Sequence, residues 1–223
     1  FNPVGALPGY IPNTNTPGNY TYYAACSSNP TCRTATVFEI KARPIMSVPA
    51  TVSVCSNIAT PITVTGDADT YLWSSSVAGT LFNNAAGDDP YVGANATTVY
   101  VKTTALPTIT VVGTNTTTTC STTVTTTVST PTSTWDGVSA WTPVDPDASR
   151  IVVFDGSLGS GNFSSTTDIS ACSVSVINGA TVLFNSYDNL VVQNAVTVTS
   201  GTLTFDDRAS LLQTNNVTNA LGV

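Results

Sequence analysis

The sequence contains no histidine. General acid–base catalysis and metal ligation fall to histidine more often than to other side chains. Its absence narrows any catalysis to carboxylate chemistry and removes the common zinc ligand sets. Charge is scarce as well: 9% of residues are charged, against roughly 25% in an average soluble domain. Lys and Arg number only 6 against 13 acidic residues, for a net charge of −7. That leaves no basic footprint for nucleic acid and no electrostatic hold on an anionic membrane surface. No apolar run approaches the roughly 20 residues of a membrane-spanning helix, so direct membrane insertion is not expected. No signal peptide is visible. With "FNPVGALPGY" at one end and "NALGV" at the other, the chain is expected to be part of something longer.

What is present is a β vocabulary. Hydrophobic residues make up 41% of 223, enough for packed cores. Helical periodicity is almost absent. Val, Ile, Thr, Tyr and Phe alternate in short runs separated by Gly, Pro, Asn and Asp, which predicts an all-β chain. The five cysteines, Cys26, Cys32, Cys55, Cys120 and Cys172, form no CxxC. Disulfides in an oxidising compartment are the expected use. The odd count leaves one thiol unpaired or paired elsewhere.

Three textures divide the chain. Residues 1–44 end in "YTYYAAC" and "CRTATVFEIKA" around "SSNPT", a terminal hairpin resembling the last two strands of a sandwich. A Cys26–Cys32 bridge across its tip would contribute roughly 2 kcal/mol on the chain-entropy model. Residues 45–130 carry about seven strand candidates at sandwich spacing, closing on "TNTTTTCSTTVTTTVSTPTST" (114–134). In that stretch Cys120, Thr122, Val124, Thr126 and Val128 share one parity, while Ser121, Thr123, Thr125 and Thr127 share the other. Such alternation predicts a half-buried strand rather than a mucin-like tract. "STPTST" (129–134) loses the pattern and is expected to link two domains.

Residues 131–223 form the third region. "SVSVINGATVLF" (173–184) is echoed by "AVTVTSGTLTF" (195–205). Val174 and Val176 align with Val196 and Val198, and Gly179 with Gly201, at an offset of 22; "VVQ" (191–193) aligns with "LLQ" (211–213) at an offset of 20. The slip is expected in the corner around "NSYDN". Coils of this length predict a right-handed β-solenoid; a second sandwich is the rival. Because stacked coils bury one another's faces, the solenoid is expected to continue beyond Val223.

Residues "VCSNIATPITVTGDADTYLWSSS" and "VVGTNTTTTCSTTVTTTV" resemble the Ig-like or PKD-like repeats of giant Bacteroidota surface proteins, in their gliding-adhesin-like members. The positions carrying the likeness are Cys55, Tyr71, Trp73, the "GTN" at 113–115 and Cys120. Residues 20–43 resemble the tail of a preceding copy, and "TWDGVSAWTP…CSVSVINGATVLF" resembles solenoid segments of the same proteins. The resemblance implies an Ig-like sandwich followed by a β-helix, with a partial Ig-like hairpin before them. It also implies an extracellular protein exported by the type 9 secretion system, its modules serving as stalk, adhesin or filament. Expected partners are neighbouring modules of the same long chain, surface glycans and secretion or attachment machinery. Cys55 and Cys120 bracket one domain and are the expected disulfide, worth roughly 4 kcal/mol, with two buried free thiols as the alternative. Cys32 pairs either locally or upstream. Tyr71 and Trp73 are expected in the core, beside that bridge.

The remaining candidates have bland readings beside the chemical ones. Asp67/Asp69, Asp88/Asp89, Asp145/Asp147 and Asp206/Asp207 fit turns. Asp145 and Asp147 are the best of them for Ca²⁺; no other cofactor is expected. Asp206 and Asp207 would be the carboxylates of a β-helical polysaccharide-active enzyme, but neighbours on a strand point apart, and no enzyme is expected. Exposed Tyr91, Tyr100, Trp141 and Tyr187 would serve a carbohydrate-binding module. Ser173, Ser175, Thr197 and Thr199 make a short hydroxyl ladder of the kind that orders ice. Sequons fall at Asn19, Asn95, Asn115, Asn162 and Asn216.

Overall fold

The computed structural model describes residues 14–26 and 29–221. Every regular element among them is a strand. The first two, Gly18–Cys26 and Asn29–Ile40, pair only with each other in an antiparallel ribbon. Tyr22 meets Phe38 edge-on at 5.5 Å, while Tyr23, Val37 and Phe38 stay exposed. A two-stranded ribbon has little to bury, and no third strand joins it among the described residues.

Two sheets then share one core. The four-stranded sheet runs Thr51–Ser53, Ser121–Ser129, Thr108–Thr114, Thr70–Ser75. The three-stranded sheet runs Thr60–Thr63, Thr98–Val101, Leu81–Phe82. Val52, Trp73, Ile109 and Val128 from the first pack with Ile62, Leu81, Val99 and Val101 from the second. The period-2 pattern decides which side chains enter. In the threonine strand, Thr126 and Val128 are buried and Val124 half-buried, while Ser121, Thr123, Thr125 and Thr127 face water.

Thr51–Ser53 pairs in parallel with the far end of that strand, at Thr127–Ser129. This placement carries the chain at Cys55 to the edge facing the next unit. Only Thr130 and Pro131 lie between Ser121–Ser129 and the next strand, Thr132–Trp135. Most of the expected linker 129–134 is therefore strand, and Ser133 within it is fully buried.

From Thr132 the chain coils into a β-solenoid of about four turns. Three parallel sheets make its faces. One stacks Ile151–Asp155, Ser173–Ile177, Val196–Val198 and Ala220–Leu221; another Asn162–Ser164, Ala180–Phe184 and Gly201–Phe205; the third Ile169–Ala171, Asn189–Val192 and Ser210–Gln213. Inward positions stack like on like. Val152, Val174 and Val196 form one column, with Phe154, Val176 and Val198 beside it. Full burial of a Val, Leu or Phe side chain contributes about 1.5–3 kcal/mol, and these columns repeat it coil after coil.

The register corrects the repeat alignment. Val174 does stack on Val196, an offset of 22, but Gly201 sits over Ala180 rather than Gly179. Leu190 stacks on Leu211 and Val191 on Leu212, an offset of 21, not 20. A one-residue error would turn the buried Leu190 row outward. The slip lies at the first corner: three residues, 177–179, separate Val176 from Ala180, but only Thr199 and Ser200 separate their partners Val198 and Gly201. The corner at "NSYDN" has the same length in both coils: Asn185–Asp188 and Asp206–Ala209 each span the gap between strands.

Candidate functional site

The two folded units are joined covalently. Cys55, one residue past the buried Val54, is bonded to Cys172, with Cα atoms 5.4 Å apart and a sequence separation of 117. The expected Cys55–Cys120 bridge is not formed; Cys120 is a free, half-buried thiol. Strand geometry explains why. The Val54 amide donates to Ser129 O at 2.8 Å, so Cys55 lies at the last residue of the threonine strand. Cys120 lies just before its first residue. At about 3.3 Å per residue the two ends are roughly 30 Å apart, far beyond the roughly 7 Å limit for a disulfide.

Asn194 completes the junction. Its Nδ2 donates to Ser56 O, lies 3.0 Å from Cys55 Sγ and 3.6 Å from Cys172 Sγ. Its Oδ1 accepts from Asn215 Nδ2 at 3.1 Å, and its backbone amide donates to Cys172 O at 2.8 Å. Asn194 is buried, and its Nδ2 is the atom that crosses to the first unit. The offset of 22 that aligns Val174 with Val196 also aligns Cys172 with Asn194. That signal marks both as one corner position, but nothing in it points to Cys55.

Cys32 is exposed and free, so the expected Cys26–Cys32 bridge is not formed. Cys26 opposes Asn29, after a register shift, three residues short of Cys32. The side chain of Cys26 lies outside the described residues. Tyr71 and Trp73 are buried. The Trp73 indole N–H donates to Ala96 O at 2.7 Å, and its backbone amide donates to Tyr91 Oη at 3.1 Å. With Cys120 at the remote end, Trp73 does not sit beside a Cys55–Cys120 bridge.

Asp145 and Asp147 gather no further ligand: no group of three or more His, Cys, Asp or Glu that could hold a metal occurs among the described residues. Asp147 accepts from Ser149 Oγ at 2.6 Å and the Ser149 amide at 2.7 Å, and pairs with Arg150 at 3.3 Å. Burial pushes its carboxyl upward, but these donors and the Arg150 charge outweigh it, so the group stays below the usual aspartate value. Asp136 accepts the amides of Val138, Ser139 and Ala140 at 2.8, 2.8 and 3.0 Å. Those amides, Ala140 foremost, hold its carboxyl low.

Asp206 and Asp207 lie in an exposed corner, next to a cavity lined by Phe205 and Leu211 that neither of them lines. Asp207 pairs with Arg208 at 3.5 Å, and Arg208 covers the Tyr187 ring at 5.2 Å. The four aromatics expected of a sugar platform are dispersed. Tyr91 and Tyr100 belong to the first unit, Tyr187 to a solenoid corner, and Trp141 to the first coil. The hydroxyl ladder is short: Ser175 stacks on Thr197, but Val153 precedes them and Ala220 follows.

Trp141 has other company. Thr132–Trp135 and Trp141–Thr142 pair antiparallel and cap the first coil. Trp135 and Trp141 lie 5.4 Å apart, each against Phe163 at 5.1 and 5.5 Å. The Trp135 indole N–H donates to Asn162 O at 2.8 Å. Beside them is a cavity of about 430 Å³ whose lining includes Asp145, Thr166 and Asp168. Trp135 and Asp168 were not legible as site residues, because only coiling brings them to Trp141.

No protein-family model and no curated protein matches the chain. Function therefore rests on geometry. The Cys55–Cys172 bond points to an oxidising, non-cytoplasmic environment. No helix among the described residues is long and apolar enough to cross a membrane.

Proposed function

We propose that this chain is a non-catalytic structural segment of a large secreted bacterial surface protein, serving as a stalk or filament module that carries an adhesive part. The first unit is an Ig-like sandwich in this reading, the second a right-handed β-helix, and the ribbon before them belongs to a preceding Ig-like domain. The protein acts outside the cell, reached through the type 9 secretion system of Bacteroidota. Its partners are neighbouring modules of the same chain, surface glycans and the attachment machinery.

The observation that supports this reading is the lock at the junction. A two-residue connection, a disulfide and the buried Asn194 tie the sandwich to the solenoid. A stalk needs its modules to transmit force without bending freely at their joints. The expected surface load crosses covalent bonds at two places, the chain itself and Cys55–Cys172.

Single-molecule pulling on the full chain tests this. The expected trace keeps the junction closed until one unit unfolds, and reduction adds contour length by freeing the segment between Cys55 and Cys172. Free reorientation of the two units in solution with the disulfide intact, seen by fluorescence transfer between labels on each unit, would sink the stalk reading.

A further inference from the structure

We propose that the cavity at the first coil of the solenoid is a binding site for neutral hexose units of a glycan. It is lined by Trp135, Trp141 and Phe163 together with Asp145, Thr166 and Asp168, and encloses about 430 Å³. That volume falls within the roughly 300–1,000 Å³ of small-ligand sites, which combine apolar walls with a few placed polar groups.

The chemistry of the lining selects the ligand. A pyranose has an apolar C–H face, which suits aromatic rings, and hydroxyl edges, which donate to carboxylates. Both are supplied here. The rings are set in advance: Trp135 is held by its bond to Asn162 O and by Phe163, so little side-chain freedom is lost on binding. Asp168 is anchored through Oδ1, which accepts from the Asn189 amide at 2.7 Å and its Nδ2 at 3.2 Å. Its other oxygen has no partner among the described residues. The Asp145 carboxylate has none among the described residues, although its own carbonyl accepts from Ser133 Oγ at 3.4 Å. Ser139 and Thr167 add hydroxyls to the rim.

No lysine or arginine lines the cavity. Two carboxylates without a cation repel uronates, sulfated sugars and phosphate, which leaves neutral sugars. A second, shallower cavity of about 550 Å³ shares Trp135, Phe163, Ser164 and Thr166 with the first and continues over Thr181 and Leu183. Adjoining subsites of this kind suit an oligosaccharide rather than a single sugar.

The test uses the whole chain. Calorimetry and tryptophan fluorescence follow titration with neutral cello-, manno- and malto-oligosaccharides, and with oligogalacturonate at the same ionic strength. Saturable binding of at least one neutral series is expected, with none for the uronate. Asp145→Asn should weaken that binding by about tenfold, the size of a lost hydrogen bond to a charged group. Trp141→Ala should abolish it, and if that variant fails to fold, Asp145→Asn alone decides, since its side chain is exposed and unpartnered. Three results would each overturn the site: no neutral series saturating, stronger binding of the uronate, or unchanged affinity in Asp145→Asn. None of them bears on the junction, so the stalk reading stands or falls separately.

Discussion

Cys55 in the first unit and Cys172 in the solenoid are bonded across 117 residues of sequence, with Cα atoms 5.4 Å apart. The bond crosses from one core to another, so it stabilises a junction rather than a domain. On the chain-entropy model a loop of this length contributes about 5 kcal/mol. The double variant Cys55→Ser, Cys172→Ser should lose stability of that order in chemical denaturation. It should also unfold in two transitions, because each unit has its own core. Cys120→Ser should leave the curve unchanged. Peptide mapping under non-reducing conditions gives the direct check: recovery of a Cys55–Cys120 peptide would contradict the structure.

Asn194 makes the same junction polar and specific. Its buried Nδ2 donates to Ser56 O, and its Oδ1 accepts from Asn215. Asn194→Leu removes both bonds from half-buried partners, and a hydrogen bond of this kind is worth about 0.5–1.5 kcal/mol. The expected result is a loss in that range with the disulfide still formed, read from denaturant melts and intact mass. A neutral result would mean that the bond alone holds the contact.

Much of the fold could be read from alternation, because burial in a strand follows parity. Val174/Val176 against Val196/Val198 and the threonine strand up to Val128 were legible for that reason. The junction was not. Cys120 shares a parity with Val124 and Val128, which says which face it is on but not how far along the strand Cys55 lies. Cys172 lies in a different unit, and no local pattern reports contacts between units. The repeat offset failed by one residue for a related reason: Gly179 and Gly201 look equivalent, yet one corner is a residue shorter and Gly201 stacks on Ala180. The sugar cavity was half legible. Trp141 could be named, but Asp168 reaches it only by coiling.

The glycine pair makes that difference measurable. Gly201 has φ +120°, and a Cβ there would lie 2.2 Å from Ala180 O. Gly179 has φ +79° with nothing within 4 Å. Gly179→Ala should therefore cost only the left-handed backbone penalty, about 1–2 kcal/mol. Gly201→Ala adds a backbone clash between coils and should cost clearly more. Equal effects in thermal melts would mean that the two corners are equivalent after all.

Acid sensitivity follows from Asp136, Asp155, Asp147 and Asp69. Each has a folded-state carboxyl below its ordinary 3.8. Asp136 is held by three backbone amides, Asp155 by Ser157 and Asn178, and Asp69 by the amide and hydroxyl of Thr116. A depressed folded pKa means that the unfolded chain takes up protons first. The stabilisation is complete above the ordinary value and is lost as pH falls through the folded value. Melting temperature should thus keep the full contribution of these groups, unchanged, between neutral pH and about pH 5, then fall below about pH 4. Asp136→Asn keeps an oxygen acceptor without the charge and should make the acid limb shallower. An unchanged acid limb in this variant would remove Asp136 from the account.

Thr126 offers a change in the opposite direction. Its hydroxyl is buried in the first core and has no hydrogen-bond partner among the described residues. It shares the inward face with Val128, two residues on in the same strand, and with Val124 two residues before. The hydroxyl gains nothing from the fold and loses the water it would have in the unfolded chain, a penalty of about 1–3 kcal/mol. Valine has nearly the same shape and the higher strand preference of an apolar β-branched residue. Thr126→Val should therefore raise stability by about 1 kcal/mol with the fold and the Cys55–Cys172 bond unchanged. Denaturant unfolding of the pair checks it through the midpoint at constant slope. A lowered midpoint would mean that a donor or acceptor, such as an ordered water, meets this hydroxyl in solution.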